Sequence, residues 1–139
     1  MTEEDALVAA ELDAEHRRAK VNYQAKNLDA YMAVFTRDLR YKQPDGRVIG
    51  REELARDVES QLSSIQSTDS SYIRESLKVN GDRATEILFQ KAFVTSRLLF
   101  FTKSWRVERR GRYEWVKLPE GWKIREVEVL LESVSHGAA

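Results

Sequence analysis

Asn27-Leu28-Asp29-Ala30-Tyr31-Met32-Ala33-Val34-Phe35, followed by Tyr41-Lys42-Gln43-Pro44-Asp45-Gly46-Arg47-Val48-Ile49-Gly50-Arg51-Glu52, is the stretch on which the fold turns. Asn27 suits a helix N-cap, because its side-chain oxygen can accept from a free N–H of the first turn. It opens a short helix carrying Leu28, Tyr31, Met32 and Phe35. Leu39 to Gln43 then alternates, with Leu39, Tyr41 and Gln43 on one side and Arg40 and Lys42 on the other, as a half-buried strand requires. Pro44-Asp45-Gly46 predicts a tight turn, with φ preset at the proline and a positive φ at Gly46. Val48-Ile49 reads as a brief return strand that Gly50 ends. Arg51 to Ile65 then reads as a helix with Leu54, Val58, Leu62 and Ile65 on one face.

Upstream, Glu4 to Ala25 has a 3.6-residue apolar stripe in Val8, Leu12, Ala19 and Tyr23, so it reads as one long helix. A smaller apolar set, Leu7, Ala10, Ala14 and Val21, lies opposite and predicts a helix covered on two faces. Downstream, Ser67 to Ser71 reads as a short loop. Four strand-like segments follow: Tyr72 to Val79, Arg83 to Val94, Trp105 to Lys117 and Trp122 to Ser133. Asn80-Gly81-Asp82 is a strong hairpin signal, Leu118-Pro119-Glu120-Gly121 makes a second turn, and His136 to Ala139 reads as a frayed tail. Helices first and a tight-turned meander afterwards predict an α+β cone, in which N-terminal helices pack on a curved, mainly antiparallel mixed sheet.

The 139 residues fit one domain, 1–139, with a core of ordinary size. Lys plus Arg balances Asp plus Glu at 23 each, so no global field attracts nucleic acid or an anionic membrane, and neither is expected as a partner. The absence of cysteine removes disulfides, thiolate nucleophiles and Cys-ligated metal. Met1-Thr2-Glu3-Glu4-Asp5 has no basic n-region, and no apolar run is long enough to span a membrane, so the expectation is a cytoplasmic protein. No Gly-rich phosphate loop and no His-x-x-x-His spacing occur, so no cofactor and no metal are expected.

The Asn27–Glu52 stretch, with Gly121-Trp122-Lys123-Ile124 at the entry to the last strand, resembles the nuclear transport factor 2-like superfamily, which includes ketosteroid isomerases and SnoaL-like cyclases. The resemblance covers nearly the whole chain and implies the cystatin-like, ketosteroid isomerase-like cone. It implies little about function, because the fold hosts enzymes, binding domains and assembly modules. Carried over residue by residue, the isomerase's proton-shuttling Asp falls on Gln43 and its oxyanion-holding Tyr on Ala19. An amide cannot act as a base toward carbon, and a methyl donates nothing to an oxyanion. Ketosteroid isomerase chemistry is therefore not expected.

With only two histidines, one of them (His136) in the tail, acid–base chemistry in the interior falls to His16. On the helical wheel His16 lies beside Leu12, Ala19 and Tyr23, so it either reaches the interior or sits partly exposed at the stripe's edge. Glu126 has two readings as well. Strict alternation from Trp122 aims it inward as a buried carboxylate; a bulge near Arg125-Glu126 turns it out and puts Trp122, Ile124, Val127, Val129 and Leu131 on one face. The bulge is the cheaper, since an unpaired buried carboxylate costs on the order of several kcal/mol.

Tyr23, Tyr41, Gln43, Trp105 and Trp115 are the ligand-binding candidates, aromatics that either pack the core or line a pocket for a small hydrophobic or aromatic ligand. Arg106, Arg109, Arg110 and Arg112, interleaved with Glu108 and Glu114, read as a solvated strand face. Three functions fit. The first is a small-molecule-binding domain with an enclosed, mainly apolar pocket. The second is an isomerase, dehydratase or cyclase using His16 or Glu126 with Tyr41, and the third is an assembly module. Leu98-Leu99-Phe100-Phe101 is apolar on both faces of any strand it forms and predicts a homodimer through the sheet.

Overall fold

The computed structural model describes residues 2–98 and 100–136, without the side chain of Leu98. The elements are α1 (Glu3–Gln24), α2 (Leu28–Met32), β1 (Phe35–Lys42), β2 (Val48–Ile49), α3 (Arg51–Ser64), β3 (Ile65–Asn80), β4 (Arg83–Leu98), β5 (Phe101–Leu118) and β6 (Gly121–His136). One six-stranded sheet has the order β2-β1-β6-β5-β4-β3. The pair β1–β6 is parallel and the remaining neighbours are antiparallel, so the mixed, mainly antiparallel α+β cone is the fold.

Local chemistry sets the helix boundaries. Thr2 and Asp5 close a capping box at the start of α1. At its end, Asn27 N–H donates to the Asn22 carbonyl and Lys26 N–H to that of Tyr23, a Schellman ending with Lys26 at φ +58°. Asn27 then caps α2, its Oδ1 accepting from Ala30 N–H at 3.2 Å. Gly46 takes φ +87° in the β1–β2 turn, as the Pro-Asp-Gly sequence requires.

The inner face of the sheet is set by alternation. On β4 it carries Ala84, Glu86, Leu88, Gln90, Ala92, Val94 and Ser96, opposite Trp115, Tyr113, Gly111, Arg109, Val107, Trp105 and Lys103 of β5. Val8 and Leu12 of α1 and Leu54, Val58 and Leu62 of α3 pack onto the upper part of this face with Leu88, Trp115 and Ile124. Only one side of α1 is covered. Leu7 and Val21 are exposed, correcting the two-faced reading: a helix lying on the edge of a sheet layer has no second layer above it.

Strand β6 holds two bulges. The first, between its pairings with Glu114 and Trp115, is the one expected at Arg125-Glu126 and sends Glu126 outward. A second, between the pairings with Arg110 and Gly111, reverses the phase again. Leu131 therefore faces out, against expectation, and Glu132 faces in beside Arg109.

Other strand limits also differ. Ser67 to Ser71 belongs to β3 and pairs with β4, because a polar edge strand needs only its backbone partners. Phe35 opens β1, and His136 ends β6 opposite Trp105. Leu98 and Phe101 pair with each other at the end of the β4–β5 hairpin, so their run is not one strand, and Phe100 is fully exposed in the turn. Leu99 lies outside the described residues, as do residues 137–139 of the expected tail.

Candidate active site

Past Leu12 the same stripe of α1 leaves the core and forms one wall of a cavity of about 670 Å³. His16 stands one turn beyond Leu12, followed by Ala19, Lys20 and Tyr23 along that wall. Tyr31 and Phe35 line another side, and the inner faces of β3 to β6 supply Tyr72, Gln90, Trp105, Val107, Arg109, Tyr113 and Glu132. Exposed residues such as Arg17, Gln24, Gln61 and Val134 also border it, so it opens to solvent and is not the enclosed pocket expected.

At its inner end His16 Nε2 lies 2.7 Å from Glu86 Oε2; the His16 side chain is 11 % exposed and that of Glu86 0 %. The same Oε2 accepts from Trp115 Nε1 at 2.8 Å, and Oε1 accepts from Arg74 Nε at 3.0 Å. Arg74 Nη2 reaches Asp13 at 2.9 Å, and the Tyr72 hydroxyl donates to the same carboxylate oxygen. Burial opposes ionisation of Glu86, but His16, Arg74 and Trp115 outweigh it and leave the carboxyl below the ordinary Glu value.

An ionised Glu86 accepts, so Nε2 carries the proton of a neutral His16 ring. Nδ1 is then the lone-pair nitrogen. It has no hydrogen-bond partner among the described residues and is not sealed from solvent. Tyr72 and Trp115 fix the ring, their centroids 4.9 and 5.3 Å from that of the imidazole. A carboxylate-held imidazole with one free nitrogen on a cavity is suited to taking and returning a proton.

The other sequence candidates divide. Tyr23 and Trp105 line the cavity. Trp115 lies behind it in the core and serves through its bond to Glu86. Tyr41 stands behind Arg109, its hydroxyl accepting from Nη1 at 3.1 Å. Gln43 is outside the cavity in the β1–β2 turn, where its Oε1 accepts from Arg47 Nη2 at 3.1 Å. Glu126 is on the opposite face, near Arg40 at 4.0 Å, because the bulge turns it out. It is therefore corrected as an interior acid–base candidate. Arg109 also departs from the solvated-face reading, sharing the inner phase of Val107 and Tyr113.

Glu86 was missed because the residues next to it on β4 are more apolar in the other phase. Thr85, Ile87 and Phe89 look like the buried set beside Ala84, Glu86, Leu88 and Gln90. Gly111 was the available signal for the cavity wall. A Cβ there would come within 3.1 Å of the Tyr113 ring, so the missing side chain lets Tyr113 lie across the sheet and donate to Gln90 at 2.8 Å.

No protein-family profile matches the chain, and no curated protein sequence does. Solved structures do match. A scytalone dehydratase-like protein from Novosphingobium aromaticivorans is similar with TM-score 0.82 at 14 % identity, over 100 % of this chain and 95 % of that one. A hexachlorocyclohexane dehydrochlorinase (LinA) type 2 is similar with TM-score 0.76 at 12 % identity, over 99 % and 95 %. A nuclear transport factor 2-like superfamily protein from Salmonella enterica serovar Typhimurium has TM-score 0.73 at 16 % identity, over 96 % and 94 %. The chain thus has the nuclear transport factor 2-like fold, the cone also seen in cystatin-like and ketosteroid isomerase-like proteins. Among the described residues, no helix is long and apolar enough to cross a membrane.

Proposed function

We propose that the chain is a proton-transfer enzyme of the dehydratase kind, acting on a small hydrophobic or aromatic molecule in the cavity. The observation that carries this is the His16–Glu86 pair, 2.7 Å apart, on a ring that borders the cavity and whose other nitrogen has no partner among the described residues. In the step we envisage, Nδ1 takes a proton from a carbon next to a carbonyl. The C–H electrons form a C=C bond, the C–O bond to a β-hydroxyl breaks, and the proton on Nδ1 passes to the departing oxygen as water. Glu86 stays ionised and stabilises the imidazolium, as the buried carboxylate of a catalytic triad does. Return of the proton to a different carbon is the isomerase version of the same step. Two of the proteins with this fold are named for eliminations, a dehydratase and a dehydrochlorinase, which agrees in class. The alternative, binding without catalysis, uses the same cavity.

The test is hydrogen exchange in D2O with ring-bearing β-hydroxy and β,γ-unsaturated carbonyl compounds, read by mass spectrometry. Deuterium uptake or water loss is expected, falling ~100-fold or more in His16→Asn. Compounds that bind and never exchange with the wild-type protein would leave a binding domain and sink the enzyme reading.

The homodimer and the single domain 1–139 are kept as part of the proposal. A row across the outer face of the sheet, Ile73–Phe89–Arg110–Leu131, supports the former, with Ile73 67 % and Leu131 56 % exposed.

A further inference from the structure

Arg109 occupies the wall of the cavity with donors to spare. Its Nε donates to Glu132 Oε2 at 2.8 Å, Nη2 donates to the same oxygen, and Nη1 donates to the Tyr41 hydroxyl at 3.1 Å. A guanidinium has five N–H groups, so one on each terminal nitrogen is left, and the side chain is 33 % exposed where it borders the cavity. Tyr31 also borders the cavity, and its hydroxyl has no partner among the described residues and is not sealed from solvent. Burial, with Tyr41 and Tyr23 nearby, holds its pKa above the ordinary phenol value, so it remains a donor. The residues bordering the cavity include the basic Arg17, Lys20 and Arg109 against the acidic Glu15 and Glu132, while Lys91 turns its ammonium to Phe89 on the outer face.

We propose that the cavity takes a ring-bearing carboxylate, its carboxylate held by Arg109 and Tyr31 and its ring laid against Tyr23, Phe35 and Trp105. Two N–H groups left on a guanidinium match a carboxylate in number and charge, whereas the carbonyl oxygen of a neutral amide accepts without bringing a charge. The volume of about 670 Å³ suits a molecule of one or two rings. Arg109 pairs with Gln90, four residues along β4 from Glu86. That is about 13 Å of strand at ~3.3 Å per residue. The acid group therefore lies across the ring from the carbon that faces His16, not on that carbon.

This rests on the proton-transfer reading for the position of the reacting carbon, but binding tests it separately. The probes are trans-cinnamate and 2-naphthoate against their amides, followed by calorimetry and by thermal shift on the full chain. The acids are expected to bind at least ~10-fold more tightly than the amides. Arg109→Gln should remove that preference while leaving amide affinity in place, and Arg109→Lys should restore part of it. Tyr31→Phe, which removes one hydroxyl and disturbs no charge, should weaken the acids alone by about 3-fold to 10-fold. Equal binding of acids and amides, no binding of either acid, or acid binding indifferent to both Arg109→Gln and Tyr31→Phe overturns the proposal. Arg109-dependent acid binding without hydrogen exchange in any compound would retain the anion site and reject the catalytic role.

Discussion

Glu86→Gln removes the one buried charge on which the site is organised, and its cost can be worked from the contacts. The carboxylate has no exposed surface and receives three donors, His16 at 2.7 Å, Trp115 at 2.8 Å and Arg74 at 3.0 Å. Glutamine keeps one acceptor oxygen and turns an amide N–H₂ toward donors at the other position. Arg74 keeps Asp13, so the loss is mainly the charge-assisted contacts to His16 and Arg74. Removing one partner of a buried charged pair costs about 3–5 kcal/mol. At ~3–5 °C per kcal/mol for a domain of this size, the midpoint of a thermal melt should fall by ~10–20 °C. Tryptophan fluorescence follows it directly, since Trp115 donates to the altered group.

The pH dependence supplies a second readout. The folded carboxyl lies below its ordinary value, so its stabilisation is fully present above the unfolded value of about 4.3 and is lost as pH falls through the folded value. The gap between wild type and Glu86→Gln should therefore be widest near neutrality and narrow below about pH 4.5. A midpoint within ~2 °C of wild type at pH 7, or a gap that does not change with acid, would refute the reasoning.

Two further outcomes are expected. Lys26→Gly should stabilise the chain by about 0.5–1 kcal/mol in urea denaturation, because relief of the positive φ at Lys26 exceeds the extra unfolded-state entropy of glycine; a loss of stability would count against the Schellman ending. Light scattering at micromolar concentration should give a dimer that Leu131→Arg dissociates, and a wild-type monomer would remove the sheet-face interface.

How far the sequence carried depended on whether a residue's neighbours fixed its phase. Asn27 and Gly46 did their work locally, one capping α2 and the other taking a positive φ, so both were legible. The bulge at Arg125-Glu126 was legible because strict alternation would have buried a carboxylate without a partner. The second bulge left no such conflict, since Leu130 and Leu131 are both apolar, and the inward turn of Glu132 went unseen. Around Glu86 the outward residues Ile87 and Phe89 are greasier than the inward Glu86 and Gln90, which hid Glu86. His16 could be placed near the interior from α1 alone. Its partner lies 70 residues away on a strand, and only the three-dimensional packing joins them.

The most direct test is the protonation pattern of the His16 ring, read by two-bond ¹H–¹⁵N correlation on ¹⁵N-histidine-labelled protein. His136→Asn leaves His16 as the sole signal. The account predicts that the neutral ring carries its proton on Nε2, facing Glu86, with Nδ1 as the lone-pair nitrogen, and that Glu86→Gln relaxes this preference. A neutral ring protonated on Nδ1 in the wild-type protein would contradict it, because the nitrogen offered to the cavity could then accept no proton.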